Sequence, residues 1–185
     1  MAETRERVVD AARRLFAETG FHRVSLDEIA RQADVARATV YHQFGSKLGV
    51  LGAVVEDYER RAGLAALAEL IETGPVETLA RDVVTAGCRY WSTDPALARS
   101  IIAFTVTDPQ AADLLAGHDA GRLRLLTRMV ERLDLPDPAR ALDALWLLTG
   151  FAAYDDLSRG RRLSTARAAE LLSDLAEKAL RRRAD

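Results

Sequence analysis

The chain has 185 residues, 49% of them apolar and 29% charged, which suits a protein with a packed core and excludes a disordered or fibrous one. Its formal net charge of −2 excludes a protein that coats nucleic acid non-specifically, because such binding neutralises many phosphates. A single cysteine, Cys88, excludes an intramolecular disulfide framework and fits a reducing cytoplasm. The start of the chain lacks an apolar stretch behind a basic one, so no secretory leader is expected. The longest apolar run, Leu145 to Tyr154, falls well short of the roughly 20 residues that cross a bilayer, and no membrane partner is expected.

All periodicity along the chain is helical, and the predicted fold class is all-α. Helices are predicted at roughly 3–19, 25–32, 36–43, 46–72, 75–92, 94–106, 108–133 (broken near Gly117 to Gly121), 137–158 and 164–182. Asp94-Pro95, Asp108-Pro109 and Asp137-Pro138 each place a capping carboxylate before a proline suited to the first helical turn. Ser25 to Glu28 has the capping-box spacing, and Ser164-Thr165 suits the start of the last helix. The charge run Arg181-Arg182-Arg183 ends that helix, where cations complement the helix dipole.

Val8, Ala12, Leu15 and Phe16 share a face of the first helix, and Leu26, Ile29, Ala30 and Ala33 form the apolar stripe of the second. The turn at Asp34-Val35 is too short for anything but a steep crossing. Ala30 is small where the helices must approach, and Asp34 tolerates the left-handed backbone such a turn needs. The third helix offers only Val40 and the following Phe44 to a core. Arg37, Ala38, Thr39, Tyr41, His42 and Gln43 must therefore project outward, as in a helix inserted into a DNA groove. Local charge adds little, with Arg31, Arg37 and Lys47 set against Asp34.

The run from Ser25-Leu-Asp-Glu-Ile-Ala through Val35-Ala-Arg-Ala-Thr-Val-Tyr-His-Gln-Phe-Gly-Ser-Lys47 resembles the signature of the tetracycline-repressor (TetR) family. The resemblance covers about the first quarter of the chain. It implies a helix-turn-helix DNA-binding domain over 1–46 and a helical effector-binding and dimerisation domain over 47–185. It places Arg37, Ala38, Thr39, His42 and Gln43 against base edges, with Arg37 the natural guanine reader. Ser25, Tyr41 and Lys47 would meet phosphates; the lesser alternatives are that Tyr41 packs on the first helix, Ser25 serves only as a cap and His42 is only a solvated surface residue. Two positions depart from the family pattern: Asp34 stands where glycine is usual, and Ala36 where a serine or threonine caps the recognition helix.

The predicted helix from Asp137 is apolar nearly all round, and the last helix carries a narrower stripe. Leu148, Phe151, Ala152, Ala168, Leu171, Leu172 and Leu175 are the expected dimer interface, with an intramolecular core as the alternative and Gly150 permitting close approach. Cys88, Trp91, Phe104, Thr105, Trp146 and Thr149 are candidate lining for a small apolar or aromatic effector, a composition that also describes ordinary cores. The phosphate-binding Gly-rich loop, the Gly-x-Ser-x-Gly elbow, the His-Glu-x-x-His zinc pair and the di-iron Glu-x-x-His motif are all missing. No enzyme activity, cofactor or metal is expected. The expected protein is a ligand-responsive regulator, a repressor that binds a palindromic operator as a homodimer in the cytoplasm, associated with the bacterial nucleoid. A helical adaptor that binds only proteins would leave Arg37 to Lys47 unexplained.

Overall fold

A computed structural model describes residues 2–181, so Arg182 and Arg183 of the terminal charge run lie outside the described residues. In chain order the helices are α1 (Ala2–Thr19), a 3-10 turn (Phe21–Arg23), α2 (Leu26–Gln32), α3 (Arg37–Phe44), α4 (Lys47–Arg61), α5 (Leu64–Thr73) and α6 (Leu79–Ser92). There follow α7 (Pro95–Thr105), α8 (Pro109–Leu133), α9 (Pro138–Leu148), α10 (Phe151–Asp155), a π-type turn (Asp156–Gly160) and α11 (Thr165–Leu180). The described residues contain no strand. The predicted caps close as expected: Asp94 Oδ1 accepts from Leu97 N at 3.1 Å, Asp137 Oδ1 from Arg140 N at 3.1 Å, and Ser164 Oγ from Arg167 N at 3.2 Å.

Four boundaries differ from the sequence-based expectation, each for a local reason. The helix predicted over 46–72 breaks at Gly63, whose φ of +78° ends α4 and starts α5. Pro75 to Thr78 form a turn, closed by Thr78 N donating to Pro75 O at 3.3 Å, so α6 begins only at Leu79. The segment 137–158 divides at Gly150, extended at φ −76°, ψ 156°. The break expected near Gly117 to Gly121 is absent, and α8 is continuous. Two glycines weaken a helix by about 1 kcal/mol each, but buried Ala111, Leu126, Met129 and Val130 anchor α8 on either side of them.

The chain forms two compact units. One runs to Arg61 and takes in Asp94–Gly117; the other comprises Ala62–Thr93 and the chain from His118 onward. In the first, α1 packs on α2, α4 and α7 around Val8, Ala11, Ala12, Phe16, Ile29, Val40, Val50 and Leu51. Phe21 closes this core, its ring stacked on Phe104 of α7 with centroids 4.0 Å apart and tilted on Phe16 at 5.0 Å. Asp94 contributes to the same unit twice, capping α7 and pairing with Arg13 of α1 at 3.3 Å.

In the second unit α6 and α11 are the main packed pair, with α5 on α6 and α9 on α11. Val83, Val84, Cys88, Leu145, Ala168, Leu172 and Ala176 are buried there. Arg81 bridges α6 to α11 through Glu177 (2.7 Å) and Asp174 (2.9 Å), and buried Ser173 donates to the Arg81 carbonyl at 3.3 Å. The later half of α8 is tied to the end of α5, where Arg132 donates to the carbonyls of Ile71 and Gly74.

Candidate nucleic-acid interface

The interface is built on α2 and α3. Ser25, in extended backbone, accepts from Glu28 N at 3.1 Å and so starts α2. Ile29, Ala30 and Ala33 are buried, while Arg31 and Gln32 are exposed. Asp34 takes up the left-handed turn with φ 53°, and Val35 N then donates to Ala30 O at 3.0 Å. The turn is clamped from α1: Arg7 Nη2 reaches the Ala33 carbonyl (2.5 Å), the Asp34 carbonyl (2.8 Å) and the Asp34 carboxylate (3.2 Å). The two N–H groups of one Nη2, shared among three acceptors, thus hold a corner that lacks the usual glycine.

Val40 is the one fully buried side chain of α3, and Phe44 is half-buried beneath the Arg5 guanidinium, 5.3 Å from its ring centroid. Ala36 stands at the N-cap with suitable backbone angles (φ −68°, ψ 142°) and supplies no side-chain bond. Arg37, Ala38, Tyr41 and His42 are exposed, Tyr41 at 63%. That exposure leaves Tyr41 on the solvent face of α3, so it is not a core residue packed under the first helix. Thr39 is half-buried. Gln43 is half-buried too, its Oε1 out of reach of water without a hydrogen-bond partner, so a base contact requires another rotamer.

Arg37 pairs with Asp27 of α2 at 3.1 Å. Both side chains are largely exposed, so the pair is worth little to stability, yet it fixes where the guanidinium sits. Lys47 is committed elsewhere than the phosphate contact its sequence position suggests. Its Nζ donates to the carbonyls of Phe21 and Val24, each at 2.9 Å, and lies 4.2 Å from the Phe21 ring centroid. Burial pushes its pKa down, with Asp108 opposing that shift. This lysine ties α4 to the turn before α2, and only one of its three N–H groups remains for anything else.

The joint after α3 is equally constrained. Gly45 turns the chain with φ 70°, and Ser46 Oγ accepts from Gly49 N at 3.0 Å. A β-carbon at Gly49 would lie 1.9 Å from the Phe44 carbonyl oxygen, so the end of α3 sits directly on the first turn of α4. Arg7, Asp27 and Gly49 were not singled out in the sequence. Asp27 lies inside the motif and Gly49 two residues beyond its Lys47 end, whereas the Arg7 clamp spans 26–27 residues and has no local sign.

The candidate effector residues are divided by the fold. Phe104 and Thr105 belong to the first unit, where Phe104 is stacked on Phe21 and the Thr105 hydroxyl donates to the Ile102 carbonyl at 2.8 Å. Helical periodicity does not reveal which unit α7 joins. Cys88, Trp91, Trp146 and Thr149 share the second unit. Trp91 Nε1 donates to the Thr149 carbonyl at 2.9 Å, and Arg122 lies over the Trp146 ring. Cys88 is buried, which pushes its thiol up to about 11.

Of the expected dimer residues, Phe151, Ala168 and Leu172 are buried within the protomer, each 8% exposed or less. They serve its own core, as a stripe on a helix packed against α6 or α9 must. Ala152, Leu171 and Leu175 are exposed, Leu148 is half-buried, and the neighbouring Leu147 is 70% exposed. Gly150 is approached by Arg122 and by the Trp146 and Leu147 carbonyls of α9 rather than by open space. His118 lies within α8 and not at a break. Among the described residues no helix is long and apolar enough to cross a membrane, and no group of three metal-capable side chains occurs.

Residues 8–54 match the family described as bacterial regulatory proteins, tetR family. An HTH-type transcriptional regulator of Mycobacterium tuberculosis, itself uncharacterised, is 32% identical over 136 residues, which are 72% of this chain and 64% of that protein. The chain thus spans about two thirds of that relative's length. The HTH-type transcriptional regulator UidR of Escherichia coli is 39% identical over 69 residues, 37% of this chain and 35% of that one. Among solved structures, Salmonella enterica GusR matches with a TM-score of 0.73 at 25% identity over 96% of this chain and 95% of its own. A TetR-family regulator from Syntrophomonas wolfei matches with a TM-score of 0.81 over 100% and 99%, and at 14% identity it speaks for the fold alone. With the braced helix pair, its outward-facing third helix and these relatives together, the chain belongs to the tetR family of bacterial regulatory proteins.

Proposed function

We propose that the chain is a DNA-binding transcriptional regulator that reads a palindromic operator in double-stranded DNA as a homodimer. The observation that carries this is α3 itself, eight residues long with Val40 alone fully buried, its arginine, tyrosine and histidine facing solvent from a rigidly braced frame. A short helix held so firmly while contributing so little to a core is suited to the major groove. The DNA-binding portion is residues 1–46, extended functionally by the residues that brace it. Arg37 reads a guanine, Ala38, Thr39, His42 and Gln43 complete the base-facing surface, and Ser25 and Tyr41 meet phosphates. Lys47 contributes by position more than by contact.

The remaining portion, 47–185, pairs two copies and takes a small apolar or aromatic effector that releases the operator, so that the protein acts as a repressor in the cytoplasm. Exposed Leu147, Leu171 and Leu175, with Leu148 and Ala152, support the pairing, because such leucines stay dry only against a partner. An effector releases DNA if it prefers one of two spacings of the reading heads, and it needs no other property. The test is duplex binding by the purified protein against fragments from its own genome. Saturable, sequence-dependent, salt-sensitive binding at two protomers per site is expected. Equal binding to all fragments, or none, overturns the proposal.

A further inference from the structure

Arg122, in the second half of α8, is a half-buried cation. Its Nη2 donates to the Trp146 carbonyl and to Thr149 Oγ1 (3.0 Å), both neutral acceptors, and its guanidinium carbon lies 4.1 Å from the Trp146 ring centroid. Among the described residues no carboxylate lies within ion-pair distance of it; Asp119 acts on it only through space, and burial weakens its hold on the proton. A charge withdrawn from water without a counter-ion is costly unless something answers it.

A cap for the end of α9 explains part of this arrangement, since the Trp146 carbonyl lies in the last turn. Arg132 shows what a capping arginine looks like in the same unit: Nη1 and Nη2 each take a carbonyl at the end of α5. Arg122 engages Nη2 alone, and among the described residues the N–H groups of Nε and Nη1 meet no protein acceptor. Its surroundings are aromatic. Tyr90 is close enough to influence its charge, Tyr90 and Trp91 meet edge to face at 4.8 Å, and Trp91 meets Phe151 at 5.3 Å.

We propose that Arg122 anchors the oxyanion of an organic acid with an apolar or aromatic body, a carboxylate or a phosphate ester, and that the effector is therefore an anion. This rests on the effector-binding role proposed above and narrows its chemical class. Guanidinium matches such oxyanions in geometry, and the neighbouring rings suit an apolar body.

The chain's two tryptophans, Trp91 and Trp146, both belong to this cluster, so intrinsic fluorescence reports on it directly. Benzoate, phenyl phosphate and the uncharged benzamide are titrated into the full chain, its Arg122→Gln variant and its Arg122→Lys variant. A saturable change is expected for benzoate or phenyl phosphate at a concentration about tenfold or more below that for benzamide. Which anion responds distinguishes carboxylate from phosphate. The preference is lost in Arg122→Gln and survives, weakened, in Arg122→Lys. Equal responses to acid and amide, no response to either anion, or an unchanged preference in a folded Arg122→Gln overturns the proposal. Circular dichroism checks the fold of both variants, and the wild-type preference decides the matter if the glutamine variant unfolds. Specific duplex binding without ligand, equal in wild type and Arg122→Gln, separates this outcome from failure of the regulator proposal.

Discussion

Arg7 and Asp34 meet twice, once at the Asp34 carbonyl and once at its carboxylate, across 27 residues of sequence. The exposed carboxylate contributes little, but the carbonyls of Ala33 and Asp34 belong to a turn whose backbone is left-handed at a non-glycine residue. Removing the guanidinium leaves that corner to open. Arg7→Ala is expected to lower unfolding stability by about 1–3 kcal/mol, read by urea denaturation, and to weaken operator binding. Arg7→Lys keeps the charge but not the planar guanidinium, and should recover only part of both.

Ala36 already has the extended backbone of an N-cap and lacks only a side-chain acceptor. Ala36→Ser should therefore stabilise the protein by about 0.5–2 kcal/mol and tighten DNA binding, as α3 need no longer be ordered at its first turn by the ligand. An unchanged melting temperature together with unchanged affinity would show that this turn is held by other means.

Much of this region was legible from sequence because its determinants are local. The Ser25, Asp94, Asp137 and Ser164 caps act over three residues, and the stripe of Ile29, Ala30 and Ala33 repeats within two turns. What could not be read is what reaches across the chain. Nothing near Phe104 shows that it stacks on Phe21, and nothing near Lys47 shows that carbonyls of Phe21 and Val24 take up its ammonium. The break at Gly63 and the continuity through Gly117 illustrate the same limit. Glycine permits a break in both places, and packing decides which one occurs.

The Arg37–Asp27 pair makes a prediction about specificity. Arg37→Ala should cost about 1–3 kcal/mol of operator binding and relax preference at one base position in each half-site. Asp27→Asn removes a nearby negative charge while freeing the guanidinium to move. It should tighten binding to all duplexes and narrow the gap between specific and non-specific ones. A binding-site selection on the three proteins distinguishes these outcomes.

Cys88 supplies a prediction in alkali. Burial raises its folded pKa to about 11 from an ordinary 9.0, so between those values the folded chain keeps a proton that the unfolded chain releases. Stability from this group is complete below about pH 9 and declines as pH rises toward 11. Denaturation from pH 8 to 10.5 should show a loss in wild type that Cys88→Ala lacks. At pH 8 iodoacetamide should modify the native protein far more slowly than the unfolded one.

The first unit is assembled from separated stretches, because α7 and the start of α8 complete a core begun by α1 to α4. A growing polypeptide has therefore emitted the entire helix-turn-helix motif well before Phe104 arrives to stack on Phe21, which itself packs on Phe16, and before Leu97 and Ile101 join the core of this unit. Emergence from the ribosome, at about 5–20 residues per second, imposes a delay of seconds during which those aromatic rings lack their lid. Fragments ending at Arg61 should accordingly be sticky and protease-sensitive, whereas those extended to Gly117 should not. In this chain the reading head matures only once α4 to α7 have been made behind it.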